Sequence, residues 1–280
     1  MTKRASIRFI GKNFSAFVGL AIMVLLIVTA ILAWQLAPNS PTKIAPPDKL
    51  LPPSVTHPFG TDDLGRDILS RVIHGSRISL TSGLLVVAIA MTLGVGLGLA
   101  AGYWGGLIDG VVMRMSDVFL SFPRLVLAMV IATSLGPGLV NGMIAVALSW
   151  WPWYARLVRG QVLILKQADF VAAATAVGAR HGRIIARHLF PNIIGLVAVQ
   201  TSLDLGYAIL FTASLSFIGL GAQPPTPEWG SMIAQGRNYM LTHWWYPTFP
   251  GLAIFLAVLG SNLFGDGLRD ILDPRLRHAA

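Results

Sequence analysis

Three long runs of the chain, residues 13–42, 78–108 and 125–155, contain no Asp, Glu, Lys or Arg. A helix needs about 20 mostly apolar residues to cross the hydrocarbon core of a bilayer. Runs of this length point to an all-α, polytopic membrane protein. Composition agrees: 54% of the residues are hydrophobic and 12% charged, whereas a soluble domain carries about a quarter charged residues. The net charge of +9 could signal nucleic acid. Here the basic residues cluster beside the apolar runs, which reads as membrane topology, with no nucleic-acid partner. The chain has no cysteine, which excludes disulfides, thiolate metal sites and a Cys nucleophile.

Taken in order, Lys3, Arg4, Arg8 and Lys12 precede a first span at about Ala16–Ala37. At 22 residues it is too long for a signal h-region of roughly 7–15 residues. Six prolines between residues 38 and 56 argue for an extended loop. Leu64, Ile68 and Val72 then recur every four residues and predict an amphipathic helix capped by Thr61 or Asp62. A second span lies within 78–108, with Gly94, Gly98 and Gly102 on one face for close helix packing. Residues 109–124 read as a short polar connection. The 125–155 run is long for one span, and Gly136-Pro137-Gly138 offers a turn inside it. Two spans there keep the Arg-rich segment 156–191 on the cytoplasmic side. The third then begins before Arg124, and the fourth runs from about Leu139 to the Trp150–Trp153 cluster or beyond. A fifth span follows at about Asn192–Leu220 and a sixth at Phe249–Gly265. With six spans, 15 of the 21 Lys and Arg residues fall in the segments assigned to the cytoplasm, with both termini inside. Trp244, Trp245 and Tyr246 read as an interfacial belt.

The longest polar interruption is Asp169–Pro191, DFVAAATAVGARHGRIIARHLFP. It has a helical run, Gly178, and a second run in which Arg180, Arg183 and Arg187 recur at helical spacing. The residues alone fit either a loop that holds topology or a docking element for a soluble partner. The letters resemble the EAA loop of ABC-importer permeases, in which Glu-Ala-Ala is followed by three residues, Gly, nine residues and Ile-x-Leu-Pro. Ala173, Ala174, Gly178 and Pro191 match it, while Ala172, His188 and Phe190 replace the Glu, Ile and Leu. GTDDLGRD at 60–67, GAQPPTPEWG, FPGLAIF and GDGLRDILDPRL resemble the dipeptide/oligopeptide/nickel branch of that family, from about His57 to the C-terminus.

The resemblance implies a type I ABC-importer permease fold with six transmembrane helices in a bacterial inner membrane. It implies three segments: 1–77 with the first span and an external loop, 78–270 as the transport domain, and 271–280 as a cytoplasmic tail. Ala172, Ala173, Ala174, Gly178, Arg180, Arg183 and Pro191 would form the coupling loop seated in a cleft of the ATPase. Expected partners are a second homologous permease, two P-loop ATPases and an extracytoplasmic substrate-binding protein. Dipeptides or oligopeptides are the expected substrates, with nickel, glutathione or D,D-dipeptides as alternatives. This chain has no P-loop, so ATP and Mg would belong to the ATPase and no cofactor to this chain.

The residues suggest no catalysis. There is no HExxH, no histidine pair at metal-binding helical spacing, no GxSxG and no intramembrane carboxylate pair; the six histidines read as scattered surface residues. Asp204 stands midway along the fifth span. A carboxylate there should face the bundle interior or a water-filled cavity, as a pathway residue or as a hydrogen-bonded packing residue. A membrane enzyme would need more intramembrane chemistry than Asp204 offers. An ion-coupled secondary carrier would leave the 169–191 loop without a task.

Overall fold

The computed structural model describes residues 14–272. The basic cluster Lys3–Lys12 and tail residues 273–280 lie outside the described residues. The elements are α1 Phe14–Ile31, α2 Ala33–Leu36, α3 Ile68–Trp104, α4 Gly106–Leu120, α5 Arg124–Leu135, α6 Leu139–Leu165, α7 Asp169–Ala176, α8 His181–Ile184, α9 Phe190–Ile218, α10 Trp229–Gly236 and α11 Trp245–Leu272. Short 3-10 turns occur at Pro46–Asp48 and Arg237–Tyr239, and a π turn at Ile185–Leu189 joins α8 to α9. The long helices run between two ends of the molecule. One carries α10 and the other carries α7.

Four helical stretches are long and apolar enough to cross a membrane: α1, α3, His181–Ile218 and α11 as far as Asp270. A fifth candidate is α4 with α5, apolar enough together but bent by 95° between them, the shape of a broken span or of a re-entrant loop. The expected polar connection at 109–124 is therefore mostly the helix α4. Its charges do not stay free in a loop. Arg159 grips Asp109 through Nε and Nη2 at 2.5 and 2.6 Å, and Arg156 pairs with Asp117. Helix α6 has 27 residues, about 40 Å at 1.5 Å each. Its apolarity is diluted by Trp150, Trp151, Trp153 and Tyr154, but these are mostly not lipid-facing. Trp150, Trp151 and Tyr154 are buried, and α6 packs along α3, the helix that touches most of the others, and against α4, α5 and α9.

The core follows from close approach. The glycine face expected on α3 packs on α6: a Cβ at Gly98 would lie 2.6 Å from the Ala155 carbonyl oxygen, and one at Gly102 2.7 Å from Val162. Gly94 meets Trp151 and Tyr154 in the same way. Bulkier residues would separate the two backbones. Peripheral α1 rests on α11 by similar means, with Ala16 against Gly267 and Ile22 against Gly260.

At the α10 end, the GTDDLGRD segment corrects the expected amphipathic helix. Helix α3 starts at Ile68, and its cap is Asp67, whose Oδ2 accepts from the Ser70 N–H (2.8 Å) and hydroxyl (2.6 Å). Thr61 and Asp62 do not cap. Asp62 Oδ1 accepts from the N–H groups of Leu64 and Arg66, both at 2.9 Å, and Gly65 sits at φ +75. This side chain-to-backbone turn competes with helix initiation. Arg66 Nε donates to Asp62 Oδ2 at 2.6 Å, its Nη2 reaches Gln235 at 3.0 Å, and Arg71 Nε lies 3.5 Å from Asp62. Asp62, Arg66 and Arg71 are all buried.

The aromatic pair next to this network is also not a belt. Trp245 and Tyr246 are buried, with Tyr246 donating to Asp63 at 2.9 Å, and only Trp244 of the trio is exposed. Two of the expected surface histidines are engaged instead: His74 is buried, and half-buried His57 has its Nδ1 2.9 Å from Asp67. Helix α3 runs unbroken through residue 77, so the expected 1–77 and 78–270 segments share one helix.

Candidate functional site

The site is built where α6 ends. After Leu165, α7 begins with Asp169 in its first turn, where a carboxylate suits the positive end of the helix dipole. Val171 and Ala174 turn inward, while Ala172 and Ala173 are exposed. The helix stops in a Schellman arrangement. The Gly178 N–H donates to Thr175 O and the Ala179 N–H to Ala174 O, both at 3.0 Å. That geometry needs a left-handed residue just past the helix, and Gly178 supplies it at φ +76. No other atom comes within 4 Å of where its Cβ would be, so backbone conformation alone selects glycine here.

The second run is not the single arginine-faced helix expected from spacing. Arg180 precedes α8 in extended conformation, Arg183 lies in α8 and Arg187 in the π turn. The π turn has a physical reason. Its i→i+5 pattern keeps Ile184 and Leu189, five residues apart, on one face. Ile193 and Val197 continue that face along α9. All four are buried, in one cluster with Val95 of α3 and Val158 and Val162 of α6. Arg180, Arg183, Arg187 and Pro191 are left exposed, and none of the three arginines forms an ion pair among the described residues. Pro191 follows the π turn within the continuous helical stretch His181–Ile218, where it supplies no backbone donor.

Other anchors were not legible in the sequence. The Tyr103 hydroxyl at the end of α3 lies 2.7 Å from His181 Nδ1, and Lys166 Nζ donates to the Tyr103 carbonyl at 2.7 Å. These residues line a hollow of about 680 Å³ beside α7. Val177, at the tip, is 84% exposed. In sequence it reads as ordinary helix core. The loop is thus anchored from beneath and presents Ala172, Ala173, Val177, Gly178 and three guanidinium groups outward.

Asp204 is the middle residue of α9 and is 5% exposed. Its Oδ1 accepts from Gln200 at 3.1 Å, and it shares the bundle interior with Tyr154 and Trp150 of α6. Arg124, stacked 4.3 Å over the Trp150 ring, acts on it electrostatically. Asp204 therefore faces the inside of its own subunit and is not grouped with the 169–191 loop.

The sequence model described as "binding-protein-dependent transport system inner membrane component" matches residues 94–278. The chain belongs to that family. A second model, the N-terminal TM domain of oligopeptide transport permease C, matches residues 2–53. Among relatives, the Escherichia coli (strain K12) protein named "Probable D,D-dipeptide transport system permease protein" is 50% identical, over 91% of this chain and 85% of its own length. A dipeptide transport system permease from Alkalihalophilus pseudofirmus is 44% identical, over 98% of this chain and 90% of its own. The nickel transport system permease of E. coli is 42% identical, over 96% and 97%. The permease of the MetNI methionine ABC transporter, solved facing inward, shares the fold. Its TM-score is 0.58 at 16% identity, covering 74% of this chain and 98% of the other. As an inner membrane component of this family, the chain is a transport subunit and not an enzyme. Such systems supply ATP hydrolysis and substrate binding from other polypeptides.

Proposed function

We propose that the chain is the permease subunit of an ATP-driven ABC importer for dipeptides or oligopeptides. It forms half of a translocation pathway, the other half being a second, homologous permease. Two P-loop ATPases carry the ATP and Mg, and an extracytoplasmic binding protein delivers substrate. The chain itself carries no cofactor. The bundle crosses the inner membrane six times, counting α6 and the broken α4–α5 span, with both termini cytoplasmic and the α7 end facing the ATPases. Residues 78–270 act as the transport domain, 1–77 as its N-terminal addition and 271–280 as a tail.

The observation that carries this reading is the fixed, outward presentation of the 169–191 loop, a rigid base beneath exposed Gly178 and Arg183. A partner moving under ATP hydrolysis could push such an element without melting it, and the bundle would rock between inward- and outward-open states. The 50% identity to a relative named for D,D-dipeptides favours that substrate as the second reading. We also propose Asp204 as a pathway residue, reached when the bundle rocks. Asp204→Asn then lowers uptake while assembly survives, and unchanged uptake would remove the idea.

Extraction of the tagged chain from native membranes in mild detergent tests the main reading. The expected result is co-purification of a second permease with P-loop ATPases. Uptake of dipeptides and D,D-dipeptides in cells carrying the complete system then separates the two substrate readings. Repeated recovery of the chain alone would favour a self-sufficient carrier.

A further inference from the structure

We propose that the cleft between α1 and the α3–α9 pair is a phospholipid site, with the lipid phosphate at Arg77 and an acyl chain lying along the cleft. The main cleft has a volume of about 840 Å³ and is walled almost wholly by apolar atoms of α1, α3, α9 and α11. It continues into a second hollow of about 540 Å³, with Met23, Ile27, Leu84 and Leu205 common to both. Arg77 and Ile31 stand at the mouth of the second hollow.

Two observations choose the occupant. The first is charge. Arg77 is exposed and forms no ion pair among the described residues. It immediately precedes the uncharged run that begins at residue 78, which puts its guanidinium at headgroup level when α3 spans the bilayer. From Arg77 to Val87, inside the main cleft, is 10 residues of helix, about 15 Å, half of the ~30 Å hydrocarbon core and so the depth of one leaflet. The second is that α1 does not close the gap. Small residues hold it against α11, with Ala16 on Gly267 and Gly19 on the Leu263–Phe264 backbone.

An occupant with one anionic end and a long apolar body matches both. An apolar helix from another subunit would instead cover Arg77 without a partner, and burying an unpaired charge is costly. A phosphate offers the guanidinium paired, charge-assisted hydrogen bonds.

The test uses the complete assembly, purified in mild detergent, stripped of lipid and titrated with phosphatidylglycerol or phosphatidylcholine under native mass spectrometry. The expected result is tighter binding of phosphatidylglycerol, weakened about fivefold by Arg77→Gln, with a smaller loss for phosphatidylcholine, whose phosphate is the same but whose net charge is zero. Leu84→Trp, which narrows the junction of the two hollows, should weaken both while the assembly elutes as wild type. A photo-crosslinking residue at position 84 should capture lipid. Equal phosphatidylglycerol binding by Arg77→Gln would overturn the proposal, as would capture of a second permease chain at position 84. If Leu84→Trp fails to assemble, the Arg77 arm still decides, because losing that exposed side chain leaves no buried group unpaired.

Discussion

The two ends of the bundle use charge in opposite ways. At the α10 end, Asp62, Arg66, Arg71 and Glu228 are buried and hydrogen-bonded, and the loop carrying Asp62, Asp63 and Arg66 is tied to Gln235 and Tyr246. At the α7 end, Arg180, Arg183 and Arg187 stand in the open over an apolar base. Buried charge fixes geometry because any rearrangement strands an unpaired ion. Exposed charge contributes little to stability and stays available to a partner. One end is built to keep its shape, and the other to be touched.

The largest effect should come from opening the fixed end. Asp62→Ala leaves two buried guanidiniums facing each other and should cost about 3–5 kcal/mol, read as a large drop in unfolding temperature in detergent. Wild-type stability in this variant would break the contrast between the ends. Next comes Glu228, which caps α10 by accepting the Gly230 and Ser231 N–H groups at 3.0 and 2.8 Å. Glu228→Ala should cost about 2 kcal/mol.

The same residue gives a pH signature. Burial pushes the Glu228 carboxyl above its ordinary value of 4.5, against the pull of those backbone donors. The folded state then holds the proton more tightly than the unfolded one. The carboxyl's contribution to stability is therefore greatest below the ordinary value and is lost as pH rises through the raised one. Unfolding measured across pH should show the wild type losing ground to Glu228→Gln as pH increases. A gain instead would mean that the two donors outweigh burial.

The legibility of the sequence differs between the ends for physical reasons. Gly94, Gly98 and Gly102 are readable because helix packing depends on local periodicity alone. Gly178 is readable because a helix stop is local too. Arg71 and Tyr246 are not: what buries them is a set of partners far away in the chain, Pro41 and Asp62 for one, Asp63 for the other. Trp245 and Tyr246 beside an apolar run look like a belt until their hydrogen bonds are seen. The α5–α6 division inside the 125–155 run is readable from Gly136-Pro137-Gly138, where α5 ends at Leu135 and α6 begins at Leu139, whereas the α4–α5 bend is not, because its first arm carries the charges of an apparent polar connection. The π turn that orients Ile184 and Leu189 has no letter of its own.

The smallest stability effects belong at the α7 end, where they sharpen the contrast most. Gly178→Ala forces a side chain into φ +76 and should cost about 1 kcal/mol. Arg183→Ala touches nothing buried and should stay within about 0.5 kcal/mol of wild type. If this loop transmits motion, both variants should assemble normally and still lose substrate taken up per ATP hydrolysed, Gly178→Ala by bending the element and Arg183→Ala by removing a contact. Arg183→Lys separates that contact from simple charge. An ammonium keeps the charge but not the planar fork of donors, so partial recovery points to electrostatic attraction and none to a shaped hydrogen-bonded contact. Full wild-type coupling in Arg183→Ala would reassign the arginines to membrane topology and leave the transmitting surface to Val177 and the Gly178 turn.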